Sequence, residues 1–468
     1  MTSIMTLDPK RYDKLYLNGE YVASHSPDTY TLKNPKDNSI VTTAVPIASP
    51  EDVETAVKNA EAAFHGPWSQ FTAMQRSECL MALAKLLEEE LMPILTLDSL
   101  TSGAGWTDKQ KGDYSPADDG FVKLVRHEPL GVCAAINPFN APLATFFLKC
   151  ASALATGNVM IVKPSEKTPL GSLAVAPSFK RAGFPPGVVQ VITGDGSTGS
   201  LLADHMRIRK VSFTGSVATG RKIQEASARS NLKRVTLELG GKSPAVVFDD
   251  ANIENALNWT INGILTRSGQ LCVAASRVYV QKSIADEFIK QYVGRMREAT
   301  DCLGDPQDQN IKFGPMVDES QLLRVQQMVN KGIPDAELLV GGGRHGDTGC
   351  SMEPTVFLNP KPDAEIYKQE IFGPVSIIKT FETEEEVLQM ANDTDFGLMS
   401  GVFTKDITRA LRVSAALESG VVGVNCVSLQ SIQAPFGGKK QSGIGREFGE
   451  YALRLFTEPK TILINMGA

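Results

Sequence analysis

Apolar positions along the chain follow two periods, and the changes of period predict its elements. Residues 15–45 alternate apolar side chains with turn residues, as in Leu15, Leu17, Asn18-Gly19 and Tyr21-Val22. Asn-Gly between apolar residues predicts a hairpin, because that pair accepts the left-handed backbone of a tight turn. Ser49-Pro50-Glu51-Asp52 predicts a helix start, with a capping serine, proline in the first turn and acids at the positive end. Val53, Val57, Ala60 and Phe64 then share one face, and Gly66 stops the helix. A second helical pattern runs from Ser77 through Leu80, Leu83, Leu86 and Leu87 to Leu91.

From Gly131 strands and helices alternate. The strands are Val132 to Ile136, Val159 to Val162, Val188 to Ile192 and Val211 to Phe213. The helices between and after them are Pro142 to Ala155, Leu170 to Arg181, Ser197 to Met206 and Gly220 to Arg229. After residue 238 the alternation resumes, with strands at Ala245 to Phe248, Val278 to Val280, Thr355 to Phe357, Val375 to Ile378 and Val421 to Val424. Helices are expected up to Thr266 and at Ile284 to Ala299, Glu319 to Lys331, Glu384 to Asn392 and Ile407 to Leu417. Strands this uniformly apolar predict α/β architecture, with parallel sheets covered on both faces. Ligands on such sheets sit at the carboxyl ends of the strands.

Composition narrows the partners. The chain has 468 residues, enough for about two to four domain-sized units. Its net charge of −6 gives no reason to expect nucleic acid or an anionic membrane as a partner. No apolar run reaches the ~18 residues of a membrane span. Met1 to Lys14 carries Asp8 and Asp13 and resembles neither a secretory signal nor a transit peptide, so a cytoplasmic location is expected. The cysteines (79, 133, 150, 272, 302, 350 and 426) are odd in number and widely spaced, which reads as free thiols in a reducing compartment. The five histidines form no ligand pattern with them, so no metal is expected and covalent chemistry falls to a thiol.

One stretch carries the chemistry. It opens with Glu238-Leu239-Gly240-Gly241-Lys242 and closes with Gly269-Gln270-Leu271-Cys272. A thiol is a strong nucleophile once ionised, but a free cysteine titrates near pH ~8.5, so a site must stabilise its thiolate. A carboxylate beside it takes a proton or activates a water. Taken alone, the pair also reads as a buried thiol and a solvated charge.

Two glycine stretches fit a nucleotide phosphate, each between a strand and a helix. Gly194-Asp195-Gly196-Ser197-Thr198-Gly199 has the G-x-G-x-x-G spacing, and Phe213-Thr214-Gly215-Ser216 leads to Gly220. The residues alone leave both open. Lys163-Pro164-Ser165-Glu166 also ends a strand, and a glutamate there hydrogen-bonds ribose hydroxyls and repels a 2′-phosphate.

These segments resemble, in order, those of the aldehyde dehydrogenase superfamily. Pro138-Phe139-Asn140-Ala141-Pro142 is similar to its Pro-Trp-Asn-Phe-Pro segment, with Phe139 in place of tryptophan. Glu370-Ile371-Phe372-Gly373-Pro374, Pro435-Phe436-Gly437-Gly438 and Lys440-Gln441-Ser442-Gly443 extend the match. The resemblance implies oxidation of an aldehyde to a carboxylic acid with NAD, in preference to NADP because of Glu166. Cys272 is the implied nucleophile, Glu238 the base that activates water, and Asn140 an oxyanion donor. Lys149 and Glu447 are implied in a proton network behind them. Lys163 and Glu166 would hold the adenine ribose, Ser216 the pyrophosphate, Glu370 the nicotinamide ribose and Phe372 the ring. Ser165, Gly196, Phe213, Thr214, Gly215, Gly220 and Leu239 complete the implied cofactor site, with residues 194–199 as a supporting turn.

The implied fold is a Rossmann-like cofactor-binding domain (1–109 and 130–238), an α/β catalytic domain (239–454) and a small β oligomerisation element (110–129 and 455–468). The implied assembly is a homodimer or homotetramer. The substrate tunnel is expected near Phe139, Phe146, Val273 and Cys426 to Leu429, apolar enough to favour an aliphatic or aromatic aldehyde over a charged semialdehyde. The family pattern breaks once. Ser102-Gly103 runs directly into Ala104-Gly105-Trp106, where by comparison roughly twenty residues, one or two helices, are absent. That break motivates a second expectation, a non-catalytic dinucleotide-binding or structural protein on the same scaffold. A CoA-acylating or thioesterase-like enzyme is a third, against which Glu238 argues.

Overall fold

The computed structural model describes residues 12–89 and 94–467. Its first sheet has five central parallel strands, in the order Val189–Val191, Val159–Lys163, Val132–Ile136, Lys210–Thr214 and Arg234–Glu238. The hairpin Leu15–Leu17 with Glu20–Val22 closes one edge. Asn18 and Gly19 make its turn with φ of 50° and 83°, as the Asn-Gly signal requires. From Val132–Ile136 the chain winds outward on one side to Val159–Lys163 and on the other to Lys210–Thr214. Their carboxyl ends therefore open a crevice at the switch point.

The second sheet runs Glu337–Val340, Thr355–Leu358, Val375–Phe381, Arg277–Gln281, Pro244–Val247, Met399–Phe403 and Val421–Val424. All its pairs are parallel except the first. The chain then returns to the first sheet, where Gly443–Ile444 pairs antiparallel with Leu237 and Glu238. A third sheet joins Thr457–Asn465 to Phe121–Pro129 in continuous antiparallel register, with Asp113–Ser115 outside.

Local signals account for most element ends. Ser49 and Asp52 form a reciprocal capping box at the start of Pro50–His65. The second helix begins at Ala73, earlier than the Ser77 expected. Thr72 and Gln75 form another such box, with Thr72 N–H donating to Gln75 Oε1 and Gln75 N–H to Thr72 Oγ1. It is described to Glu89; the expected end at Leu91 lies outside the described residues. The helix expected at Gly220 starts at Val217, because Ser216 caps it through Thr219 N–H. Arg234–Glu238 and Met399–Phe403, which local pattern did not single out, are strands. The break at Ser102-Gly103 lies inside one helix, Ile94–Trp106, packed against Ala73–Glu89 and Pro142–Ala155.

Candidate active site

Cys272 follows a turn with an unusual backbone. Arg267, Ser268 and Gly269 are consecutive left-handed residues with φ of 52°, 55° and 70°. The two non-glycine residues store on the order of 1–3 kcal/mol each. Side-chain ties hold the turn: Ser268 Oγ donates to Gly314 O at 2.5 Å, Gln270 Nε2 to Arg267 O at 3.0 Å, and Val317 N–H to Gln270 Oε1 at 3.0 Å. Glycine is required at Gly269, where a Cβ would lie 2.0 Å from Gly373 O, and at Gly241, where it would lie 2.2 Å from Cys272 O. The stretch that carries Cys272 is thus pressed against both the segment after Glu370 and the segment after Glu238.

The Cys272 thiol is half-buried. Burial, then the nearby Glu370 and Glu238 carboxyls, push its pKa up to about 12. It rests as a thiol and needs a base or a positive field to ionise. Glu238 ends its strand beside Thr214 and is 5% exposed. Its Oε2 has no hydrogen-bond partner among the described residues. Burial and then the Glu447 charge hold its pKa well above the usual carboxylate value, while Lys149 and Arg446 pull it back. A carboxyl so raised is a far better base than a solvated one.

Behind Glu238, Lys149 Nζ donates to Glu447 Oε1 at 2.6 Å and to Ser212 Oγ at 2.9 Å, with no exposure of the lysine side chain. Lys149 comes from Pro142–Ala155, Ser212 from the first sheet, and Glu447 from the returning tail. On the other side, Asn140 Nδ2 donates to Gln270 O at 2.8 Å, which brings its amide to the turn leading into Cys272.

An apolar cluster of Val273, Leu398, Met399, Phe436 and Phe448 adjoins Cys272, with Leu148 and Leu271 packed on it. Phe146 is not part of this wall. It is fully buried in the first core, its ring 5.1 Å from Phe147 and 5.8 Å from Phe179. The helical period turns Leu148, two residues on, toward the cluster instead. Cys426 is half-buried, and Ser428 Oγ donates to Val273 O at 2.7 Å, so the 426–429 segment does border the site.

A cavity of about 790 Å³ opens from Cys272, Glu238 and Asn140. The expected cofactor residues Lys163, Ser165, Glu166, Gly196, Phe213, Thr214, Gly215, Ser216, Leu239, Glu370 and Phe372 all line it. Gly220 does not; it lies behind the wall, where a Cβ would come 2.8 Å from the Leu239 side chain. Lys163 Nζ sits 3.7 Å from the half-exposed Glu166 carboxylate. Both glycine stretches reach the cavity, but their helix ends differ. Asp195 places a carboxylate on the start of Gly196–Asp204, whereas the neutral Ser216 caps Val217–Arg229. Glu370 accepts from Gly241 N–H at 2.9 Å, and burial raises its pKa to about 7. Phe372 has φ of 60° and meets Phe139 edge-on at 5.6 Å.

Two further residues were not expected. Gln321 Nε2 donates to Phe372 O at 2.9 Å, and the Arg324 guanidinium to Ile371 O at 2.7 Å and Glu370 O at 2.9 Å. Both project from Glu319–Gly332 and fix the backbone of the Glu370–Phe372 segment. Their only sequence signal was helical spacing, which names a face and not its target.

The sequence model of the Aldehyde dehydrogenase family matches residues 21–462. Aldehyde dehydrogenase 1A1 of Oryctolagus cuniculus is 42% identical over 481 positions, covering 97% of this chain and 96% of that protein. An aldehyde dehydrogenase of Agaricus bisporus is 40% identical over 476 positions. Both alignments are longer than the 468-residue chain, so this chain carries gaps against both. An aldehyde dehydrogenase from Bacillus cereus, solved as its NAD+ complex, superposes with a TM-score of 0.95 at 37% identity, covering 99% of this chain and all of that one. A family match across nearly the whole chain and relatives this similar over their full length place the protein in the aldehyde dehydrogenase family.

Proposed function

We propose that this protein oxidises an aldehyde to a carboxylic acid with NAD, through a thioester on Cys272. One observation carries the reading: a thiol from the second half of the chain and a raised carboxyl from the end of a first-sheet strand share one cavity with the Lys163–Glu166 and Ser216 segments.

The cavity fits a dinucleotide. Its volume lies in the range of ligand sites. Ser216 offers a neutral helix N-terminus to the pyrophosphate, while Asp195 already fills the competing end with negative charge. Glu166 with Lys163 takes the adenine ribose and disfavours a 2′-phosphate, which supports NAD over NADP. Glu370 takes the nicotinamide ribose, and Phe372, held through Gln321, borders the ring. When bound, NAD accepts the hydride that leaves the aldehyde carbon.

The chain's own groups do the rest. The Cys272 thiol gives up its proton to water in the cavity, its sulfur adds to the carbonyl carbon, and the Asn140 amide with the Cys272 backbone N–H stabilises the oxyanion. Loss of hydride leaves the acyl group as a thioester. Glu238 takes a proton from water, whose oxygen attacks the thioester carbon; the C–S bond breaks and releases the acid and the Cys272 thiolate. The Lys149–Ser212–Glu447 group passes that proton away from Glu238. The adjoining apolar cluster favours an aliphatic or aromatic aldehyde.

The two sheets support the division into a cofactor domain and a catalytic domain. Leu463, Ile464, Tyr114 and Phe121 are exposed apolar residues on the third sheet, which suits a homodimer or homotetramer. No described helix is long and apolar enough to cross a membrane. Relatives named cytosolic support a cytoplasmic location.

The test is NADH formation with a panel of aldehydes, beside Cys272→Ala and Glu238→Gln. Turnover abolished by Cys272→Ala, and a single burst of NADH in Glu238→Gln, are expected. NAD binding without turnover in a well-folded sample would instead indicate a non-catalytic scaffold, and acyl-CoA formation on adding CoA an acylating enzyme.

A further inference from the structure

The left-handed turn before Cys272 holds a cation that the mechanism above does not use. Arg267 is exposed, and its Nη1 donates to Asn140 O at 2.9 Å. Asn140 Nδ2 donates back to Gln270 O in the same turn. These two bonds join the segment that carries the oxyanion donor to the segment that carries the nucleophile. Arg267 does so from a left-handed backbone, with Ser268 and Gly269 left-handed after it, so its side chain is aimed by strained backbone and not by helical continuation. Among the described residues, the charged groups that act most on Cys272 are Glu370, Glu238 and Arg267; Glu447, Lys149 and Arg446 act on Glu238 behind them. Arg267 is the positive member of the front group.

We propose that Arg267 is a positioning residue for this reaction: its guanidinium clamps the Asn140 turn to the Cys272 turn and lends positive charge to the thiolate and to the oxyanion that forms beside it. A guanidinium suits both tasks, because it stays charged and presents several N–H groups in a rigid fork. A lysine supplies charge without the fork.

The inference rests on Cys272 being the nucleophile, and its test reads the thiol without turnover. Alkylation of the Cys272 peptide by iodoacetamide is followed by mass spectrometry at about pH 8, well below the Cys272 pKa, where its rate follows the thiolate fraction, for wild type, Arg267→Gln and Arg267→Lys. Removing a nearby opposite charge raises a thiol pKa by about one unit or more, which lowers that fraction about tenfold or more. Arg267→Gln is expected to slow alkylation by about that much and to lower kcat for a neutral aldehyde about tenfold or more, with KM little changed. Arg267→Lys is expected to restore the alkylation rate but not kcat. Arg267→Met, which keeps the apolar stem, serves if the glutamine variant does not fold. An alkylation rate unchanged in folded Arg267→Gln or Arg267→Met overturns the proposal, as does full kcat in Arg267→Lys. If Cys272→Ala still turns over, it is the reading of the nucleophile that fails instead.

Discussion

Lys149 and Glu447 form a buried pair whose two halves act oppositely on Glu238, and that opposition is measurable. At 2.6 Å the attraction is about 6 kcal/mol for an effective dielectric near 20. Desolvation costs several kcal/mol per ion, so the intact pair adds little net stability. Removing one partner is different. Lys149→Met leaves Glu447 buried without its cation, which costs about 3–5 kcal/mol. If the whole chain unfolds together, that is a fall in Tm of roughly 3–5 °C. Replacing both, as Lys149→Met with Glu447→Leu, should recover most of the loss. The catalytic consequence separates the two partners. Glu447 raises the Glu238 pKa and Lys149 lowers it. Lys149→Met should therefore move the low-pH limb of kcat upward, and Glu447→Gln should move it downward, by about one unit each. The assay is steady-state kcat against pH with one saturating aldehyde, beside thermal melts. Limbs that move in the same direction, or that stay still while Tm falls, would refute the reasoning. The pair would then be structural and uncoupled from the base.

Three other outcomes are expected. Glu166→Gln removes the charge beside Lys163 that repels a 2′-phosphate and should shift the ratio of kcat/KM for NAD and NADP toward NADP by about tenfold, read as initial rates with each cofactor. Glu370 ionises near pH 7 in the fold, above its unfolded value, so the stability it contributes is complete below about pH 4.5 and is lost as pH rises through 7. Melts of Glu370→Gln between pH 5 and 8 should therefore lack part of the wild-type decline, modestly because the residue is half-buried. Gly103→Ala places a Cβ 2.8 Å from that of Ala151 and should cost about 1–3 kcal/mol by overpacking, measured by denaturant unfolding; no loss would mean that the helices across the sequence break are loosely packed.

Much of this molecule is written locally. The bounds of Pro142–Ala155, Leu170–Arg181 and Glu384–Asn392 match the expected ones, because proline, caps and a change of period lie within a few residues of each end. The segments at 163–166, 213–216, 238–241 and 269–272 were legible as candidates too, because glycine, charge and thiol chemistry show in composition and spacing, whereas 370–372 was named only through the resemblance to the aldehyde dehydrogenase superfamily. Where local signals were weaker, local reading failed. Arg234–Glu238, with charged residues at both ends, became a strand through its register with Lys210–Thr214.

What only the tertiary structure decided depends on contacts between residues far apart in the chain. It set Leu148, and not Phe146, against the apolar cluster beside Cys272, since the core claims the phenylalanine face of that helix. Gln321 and Arg324 met the Glu370 segment, and Arg267 turned back to Asn140. The structure also carried one helix across the break at Gly103. Above all, it raised the Glu238 pKa, because desolvation and the field of Glu447 exist only once the tail has folded back onto the first sheet. The sequence by itself named the thiol and the carboxyl; the fold, by burying them together, decided their proton affinities.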